Sequence, residues 1–88
     1  MATVAVEDGF TIRVYGPPRE HPPVHAHVER GPEGVVVIRL STARKPQEVW
    51  AAYRMRNSDI LKAFRLVQKH DAAIRQVWRQ MHDETGPE

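Results

Sequence analysis

The last third of the chain carries one stripe of apolar residues at helical spacing, and this stripe limits the folds open to the sequence. Over residues 59–82 apolar positions recur every three or four residues, which predicts one long amphipathic helix. The stripe consists of Ile60, Ala63, Phe64, Val67, Ile74, Trp78 and Met81. A single helix covers one face of a sheet, so the other face of any sheet formed by the rest of the chain stays open.

The residues before the helix show the alternating pattern of antiparallel strands. Asp8-Gly9 lies between two apolar runs and predicts a type I′ hairpin, because both central residues of that turn need positive φ. The predicted strands span residues 3–6, 10–15, 24–30, 35–40 and 48–56, the last with a short helix as its alternative. A tight turn is predicted at 31–34, and loops at 16–23 and 41–47. We therefore expect an α+β fold: an antiparallel β-meander of four to five strands with one long C-terminal α-helix packed on one face.

Length and composition narrow the functional classes. The 88 residues predict one domain over 1–83 and a disordered acidic tail over 84–88, with little room for a deep pocket or a large cofactor. Since the chain has no cysteine, any metal must be held by histidine nitrogens and carboxylate oxygens. The sequence has neither the pattern of a secretory signal nor an apolar run of about 18 residues, so we expect a cytoplasmic protein without a membrane span.

The net charge of +2 conceals an uneven distribution. Residues 39–79 contain ten basic and three acidic side chains, a net charge of +7, whereas the remainder carries −5. This asymmetry predicts an acidic partner, either nucleic acid or an acidic protein. The alternative is that the basic side chains only form the solvent-exposed face of a helix. Lys62, Arg65 and Lys69 lie largely opposite the apolar stripe and are the expected contacts to a phosphate backbone.

Strand alternation predicts which side chains occupy the open face. If the even residues of strand 24–30 face the helix, then His25, His27 and Glu29 face away from it. Their expected neighbours are Thr11, Arg13, Tyr15, Val35, Val37 and Arg39. A face with this composition predicts either a ligand surface or a dimer interface.

Three histidines occur within seven residues, and three interpretations of them stay open. His21, His25 and His27 can hold a metal such as zinc or nickel. His25 and His27 can instead be catalytic, acting on a scissile phosphate while Arg13 and Arg39 neutralise its charge. Histidines are also compatible with a half-buried strand, so the rings can serve structure or an interface alone.

Other side chains suggest structural roles. Asp71 falls within the apolar stripe, where a carboxylate needs an arginine or histidine partner unless it reaches water. The sequence leaves the same two possibilities open for His70, a charged partner or contact with water. Trp50 and Trp78 are expected to be core or interface anchors rather than platforms for nucleic-acid bases.

The run VYGPPREHPPVHAHVE at residues 14–29 resembles the H-P-P-H-x-H-V-E hallmark of a small bacterial family, domain of unknown function 4160. The likeness extends to residues 55–59, residues 67–70 and Trp78, and so covers most of the chain. It departs from the family pattern at Val24, which delays the first strand histidine to His25. The family has no settled activity. Its members are often encoded beside another short protein, as in toxin–antitoxin or mobile-element modules, and the resemblance implies that His21, His25 and His27 form the site.

These observations together predict a nucleic-acid-binding component of a toxin–antitoxin-like or mobile-element module, including an RNA endonuclease that uses the strand histidines. The alternatives are a non-catalytic protein-binding or dimerisation module and a histidine-only metal-binding protein. The expected partners are RNA or DNA, a small protein encoded by a neighbouring gene, or a second copy in a homodimer.

Overall fold

The computed structural model describes residues 1–17 and 22–83, which form an antiparallel sheet followed by two helices. The elements are β1 (Ala2–Glu7), β2 (Phe10–Val14), β3 (His25–Arg30), β4 (Gly34–Arg39), β5 (Glu48–Tyr53), α1 (Asn57–Lys69) and α2 (Asp71–Asp83). The strands lie in the sheet in the order β1-β2-β3-β4-β5, and each antiparallel pair is consecutive in the chain. The predicted α+β meander is therefore confirmed, with five strands rather than four.

Turn chemistry sets most of the strand ends. Asp8 and Gly9 have φ of 54° and 82°, as the predicted type I′ hairpin requires. The bounds of β1 to β4 agree with the predicted ones to within one residue. The predicted last strand is too long, because β5 ends at Tyr53 and the positive φ of Arg54, 54°, takes the chain out of the sheet.

The β3–β4 turn depends on two glycines. Gly31 has a φ of 68°, a conformation that L side chains rarely adopt. At Gly34 a Cβ atom would lie 2.7 Å from the carbonyl oxygen of Arg30, so only glycine allows this close approach.

One hydrophobic core lies between the sheet and the helices. Alternate strand residues and one side of each helix are almost fully buried, as period-two and helical patterns predict. The buried apolar residues are Phe10, Ile12, Val14, Ala26, Val28, Val36, Ile38, Leu40, Ala63, Leu66, Val67, Ile74 and Trp78. Both helices contribute to this one core, which lies on one face of the sheet.

The single helix predicted over residues 59–82 is wrong, because the structure has two helices that meet at His70. His70 has φ −103° and ψ 18°, and its ring donates from Nε2 to Glu7 Oε1 at 2.8 Å. Asp71 then begins α2, where a carboxylate is favoured by the free N–H groups of the first turn. Its arginine partner is Arg75, with Nε 2.6 Å from Asp71 Oδ1, and the Asp71 side chain also keeps 34% of its area exposed.

Two predicted segments fall partly or wholly outside the described residues. The proline-rich loop predicted at 16–23 is described except for residues 18–21, which include His21. The acidic tail predicted at 84–88 is not described. Neither described helix is long and apolar enough to cross a bilayer.

Glu7 at the end of β1 joins the sheet to the break between the helices. Its carboxylate accepts from Lys69 Nζ at 2.6 Å and from the His70 ring. Lys69 and then His70 lower the pKa of Glu7 from its ordinary value, while Glu7 raises the pKa of Lys69. The fold thus favours the charged forms of Glu7 and Lys69.

We predict that Glu7→Gln makes the thermal stability less sensitive to acid. The charged carboxylate contributes stability above its pKa in the unfolded chain, about 4.3, and the contribution is lost as the pH falls through the lower pKa of the folded state. Thermal unfolding by circular dichroism between about pH 6 and about pH 3 should show a smaller fall in Tm for the variant than for the wild type. Glu33→Gln is the control, since Glu33 is an exposed acid paired with Arg54. Equal falls for wild type and Glu7→Gln would contradict the role of Glu7.

Candidate functional site

The strand register brings the predicted open-face residues together in three rows. Directly paired residues in an antiparallel sheet point to the same face. One row is Arg13, His27, Val37 and Ala51; a second is Thr11, Glu29, Val35 and Tyr53; a third is His25, Arg39 and Glu48. The face therefore includes both strand histidines and both arginines that the sequence singled out.

His25 is held inside the molecule at the beginning of β3. Only 5% of its surface is exposed, and its ring centroid lies 5.1 Å from that of Trp50 and 5.1 Å from that of Trp78. Its Nδ1 lies 2.8 Å from the Pro23 carbonyl oxygen; because a carbonyl only accepts, Nδ1 carries the proton. These contacts connect β3 with β5 and α2, and they support a structural role for the ring.

His82 extends this ring cluster along α2. Its imidazole stacks on Trp78 with centroids 3.8 Å apart and an interplanar angle of 13°, and Nδ1 donates to the Trp78 carbonyl at 2.9 Å. Sequence reasoning missed His82. The spacing of four residues between Trp78 and His82 places both on one helix face and is the signal that could have revealed the pair.

His27 lies in the middle of the open face among polar groups. The Tyr15 ring meets it edge to face at 4.7 Å, and the His25 ring is 5.9 Å away. Beside it, Glu29 accepts from Arg13 Nε at 3.0 Å and from the Tyr15 hydroxyl at 3.4 Å. Tyr15, His27 and Glu29, together with Val35 and the β3–β4 turn, border a shallow cavity of about 300 Å³.

Arg39 is neutralised within the fold. Its side chain is 6% exposed, Nη1 lies 2.8 Å from Glu48 Oε1, and Nη2 donates to the Pro46 carbonyl. The guanidinium is thus engaged by Glu48 and Pro46 rather than directed to solvent. Glu48 was not among the predicted site residues, although an acid opposite Arg39 across neighbouring strands is a known stabilising pair.

The proposed metal site rests on a residue outside the described part of the chain. His21, its third predicted ligand, is not described. Residues 1–17 and 22–83 contain no group of three histidine, aspartate or glutamate side chains placed to hold a metal ion. A zinc or nickel site at His21, His25 and His27 stays a prediction.

The predicted nucleic-acid contacts share one surface of α1. Lys62, Arg65 and Lys69 line a shallow cavity of about 510 Å³, together with Ser58, Leu61 and Leu66. Two of these cations face the β1–β2 hairpin: Lys62 Nζ is 3.7 Å from Asp8, and Lys69 Nζ is 2.6 Å from Glu7. The basic face is therefore partly offset by acids of the same chain.

Comparisons with protein-family models, curated proteins and solved structures find no match to this chain. The resemblance to domain of unknown function 4160 accordingly stays a prediction. The candidate site consists of an enclosed His25, a sheet face with exposed Trp50 and Tyr53, and the basic surface of α1.

We predict that His25 matters more for stability than His27. Truncating the enclosed ring in His25→Ala leaves a cavity beside Trp50 and Trp78 and should lower the free energy of unfolding by about 2–4 kcal/mol. His27→Ala, at a half-buried position, should lower it by about 1 kcal/mol. Urea unfolding followed by far-ultraviolet circular dichroism measures both values. Equal losses of stability, or a negligible loss for His25→Ala, would show that His25 does not stabilise the packing of β3 against β5 and α2.

Proposed function

We propose that the chain is a non-catalytic protein-binding module whose open sheet face contacts an apolar surface of another protein. The observation that carries the proposal is the apolar exposure of this face. Trp50 and Tyr53 are 45% and 59% exposed, and Tyr53 is paired with the half-buried Val35. Exposed aromatic side chains on one sheet face of a small protein are typical of an interaction site.

The charges of the open face favour a protein partner over a phosphate backbone. Arg13 is paired with Glu29, and Arg39 with Glu48, so the basic side chains already have acidic partners. An incoming phosphate would have to displace these carboxylates, whereas an apolar surface can leave both pairs in place at its rim. The predicted family context supports a small protein encoded by a neighbouring gene as the partner.

We predict that Val35→Lys removes this partner. A lysine at position 35, beside the exposed Tyr53, would have to be desolvated in the complex, and the expected weakening is at least about tenfold. The measurement is co-purification of the neighbour-encoded protein after co-expression, followed by titration calorimetry. Ala73→Lys is the matched control, because Ala73 is exposed on α2 away from the sheet. Absence of a complex with the wild type, or full binding by Val35→Lys, would contradict the proposal.

Nucleic-acid binding is the second candidate function, and the α1 surface favours it. Lys62, Arg65 and Lys69 line one cavity, which supports contacts to successive phosphates of a flexible strand. The side chains of Lys62 and Lys69 remain 52% and 61% exposed despite their ion pairs. Exposed pairs are weak and screened by salt, so a phosphate backbone can compete for these cations.

The geometry supports binding by this surface better than cleavage by the strand histidines. General acid or base catalysis needs an imidazole nitrogen within hydrogen-bond reach of the reacting group. His25 is 5% exposed and donates to Pro23, and Arg39 is engaged by Glu48. We therefore propose RNA or DNA binding without assigning bond cleavage to His25 and His27.

Binding through the α1 surface predicts a specific salt dependence. With three phosphates neutralised on single-stranded RNA, the logarithm of affinity should fall against the logarithm of salt concentration with a slope of about −2. Replacing Lys62, Arg65 and Lys69 by alanine should bring the slope close to zero, and fluorescence anisotropy with labelled RNA measures it. Arg79→Ala changes the charge at an exposed position on α2 and should preserve the wild-type slope. Salt-independent binding by the wild type would exclude this function.

A further inference from the structure

We infer that β5 pairs antiparallel with β5 of a second copy of this chain, so that two five-stranded sheets join into one sheet. β5 is the last strand in the sheet order, and no other described strand pairs with its outer side. An edge strand of this kind presents a row of unpaired N–H and C=O groups. The pairing uses the outer main-chain edge of β5, whose Trp50 and Tyr53 also contribute to the open face, so the two contacts are distinguished by variants that alter only one of them.

The sequence of β5 lacks two common features that keep edge strands apart. Natural edges are often protected by lysine, proline or charged side chains. Between Glu48 and Tyr53 the strand has neither lysine nor proline, and its only charge is at the first position. Its irregularity, an extra residue at Trp50, lies in the pairing with β4 and is followed by two small residues, Ala51 and Ala52, near the middle of the edge. A second strand can approach closely there.

The middle of the strand is complementary to itself in size. The antiparallel register that overlaps all six residues places Val49 and Trp50 opposite the small residues Ala52 and Ala51 and leaves no like charges facing each other. Its pairs are Glu48 with Tyr53, Val49 with Ala52, and Trp50 with Ala51, each occurring twice about a two-fold axis. Such an isologous contact closes on itself and favours a dimer over a filament.

An apolar groove lies beside β5, on the side of the sheet that carries the helices. Side chains of the second copy can enter this groove. The groove has a volume of about 330 Å³ and is lined by Val49, Asn57, Ile60, Leu61 and Phe64. Leu61 at its border is 50% exposed. Pairing of the two β5 strands brings both α1 helices beside the axis, so Leu61 of each copy can enter the groove of the other. Main-chain pairing with side-chain pockets is how strand addition achieves affinity and specificity.

Light scattering after size exclusion tests the pairing. The wild type should have about twice the mass of the 10.1 kDa chain at micromolar concentration. Ala52→Lys adds a charge at the exposed edge, and Leu61→Glu adds one on exposed helix surface; each should shift the mass to that of one chain. Val6→Lys is the control, since Val6 is 69% exposed on the opposite edge strand and its replacement should leave the dimer intact. Circular dichroism establishes that every variant is folded.

Three outcomes would overturn the inference. They are a wild type that stays at the mass of one chain, a dimer that persists in both Ala52→Lys and Leu61→Glu, and a dimer that Val6→Lys dissociates as effectively. Val35→Lys separates this inference from the proposed function, because it should disrupt the open face while preserving the dimer. Loss of the dimer in that variant would move the contact from the β5 edge to the open face.

Discussion

The molecule depends on the alternation of side chains across one antiparallel sheet. Residues such as Ile12, Val28 and Ile38 bury one face under both helices, and the polar partners next to them in sequence are thereby directed to the other face. The helices belong to one core with this single face. The open face is consequently stabilised by its own ion pairs, Arg13–Glu29 and Arg39–Glu48, and by ring contacts.

Local patterns were sufficient to predict the strands and their faces, because they depend on neighbouring residues. The positive φ of Asp8 and Gly9 follows from the turn they must make, and the shared face of His25 and His27 follows from their spacing. The break at His70 was not predicted, since the residue that holds it, Glu7, lies 63 positions earlier in the chain. The apolar stripe continues on both sides of that break, so helical periodicity alone does not reveal it.

The candidate site shows the same limit. Spacing placed His25 on the correct face, but its enclosure by Trp50 and Trp78 comes from elements 25 and 53 residues away. That enclosure favours a structural role for His25 over a catalytic one. The His25 ring is 5% exposed, and its Nδ1 proton is donated to a carbonyl. It is therefore better suited to holding β3 against β5 and α2 than to exchanging a proton with a substrate.

The fold pairs the positive segment of the sequence with acidic residues of the same chain. Acids of the negative part, Glu7, Asp8 and Glu33, lie beside bases of the positive part, Lys69, Lys62 and Arg54. The positive segment predicts an acidic partner. Acidic residues of the chain's own N-terminal half therefore provide part of that partner. Each exposed pair contributes little to stability, but pairs between distant segments favour one docking of the helices on the sheet. Arg65 lies on the same α1 surface as Lys62 and Lys69, so any external anion that binds there must compete with the β1–β2 hairpin.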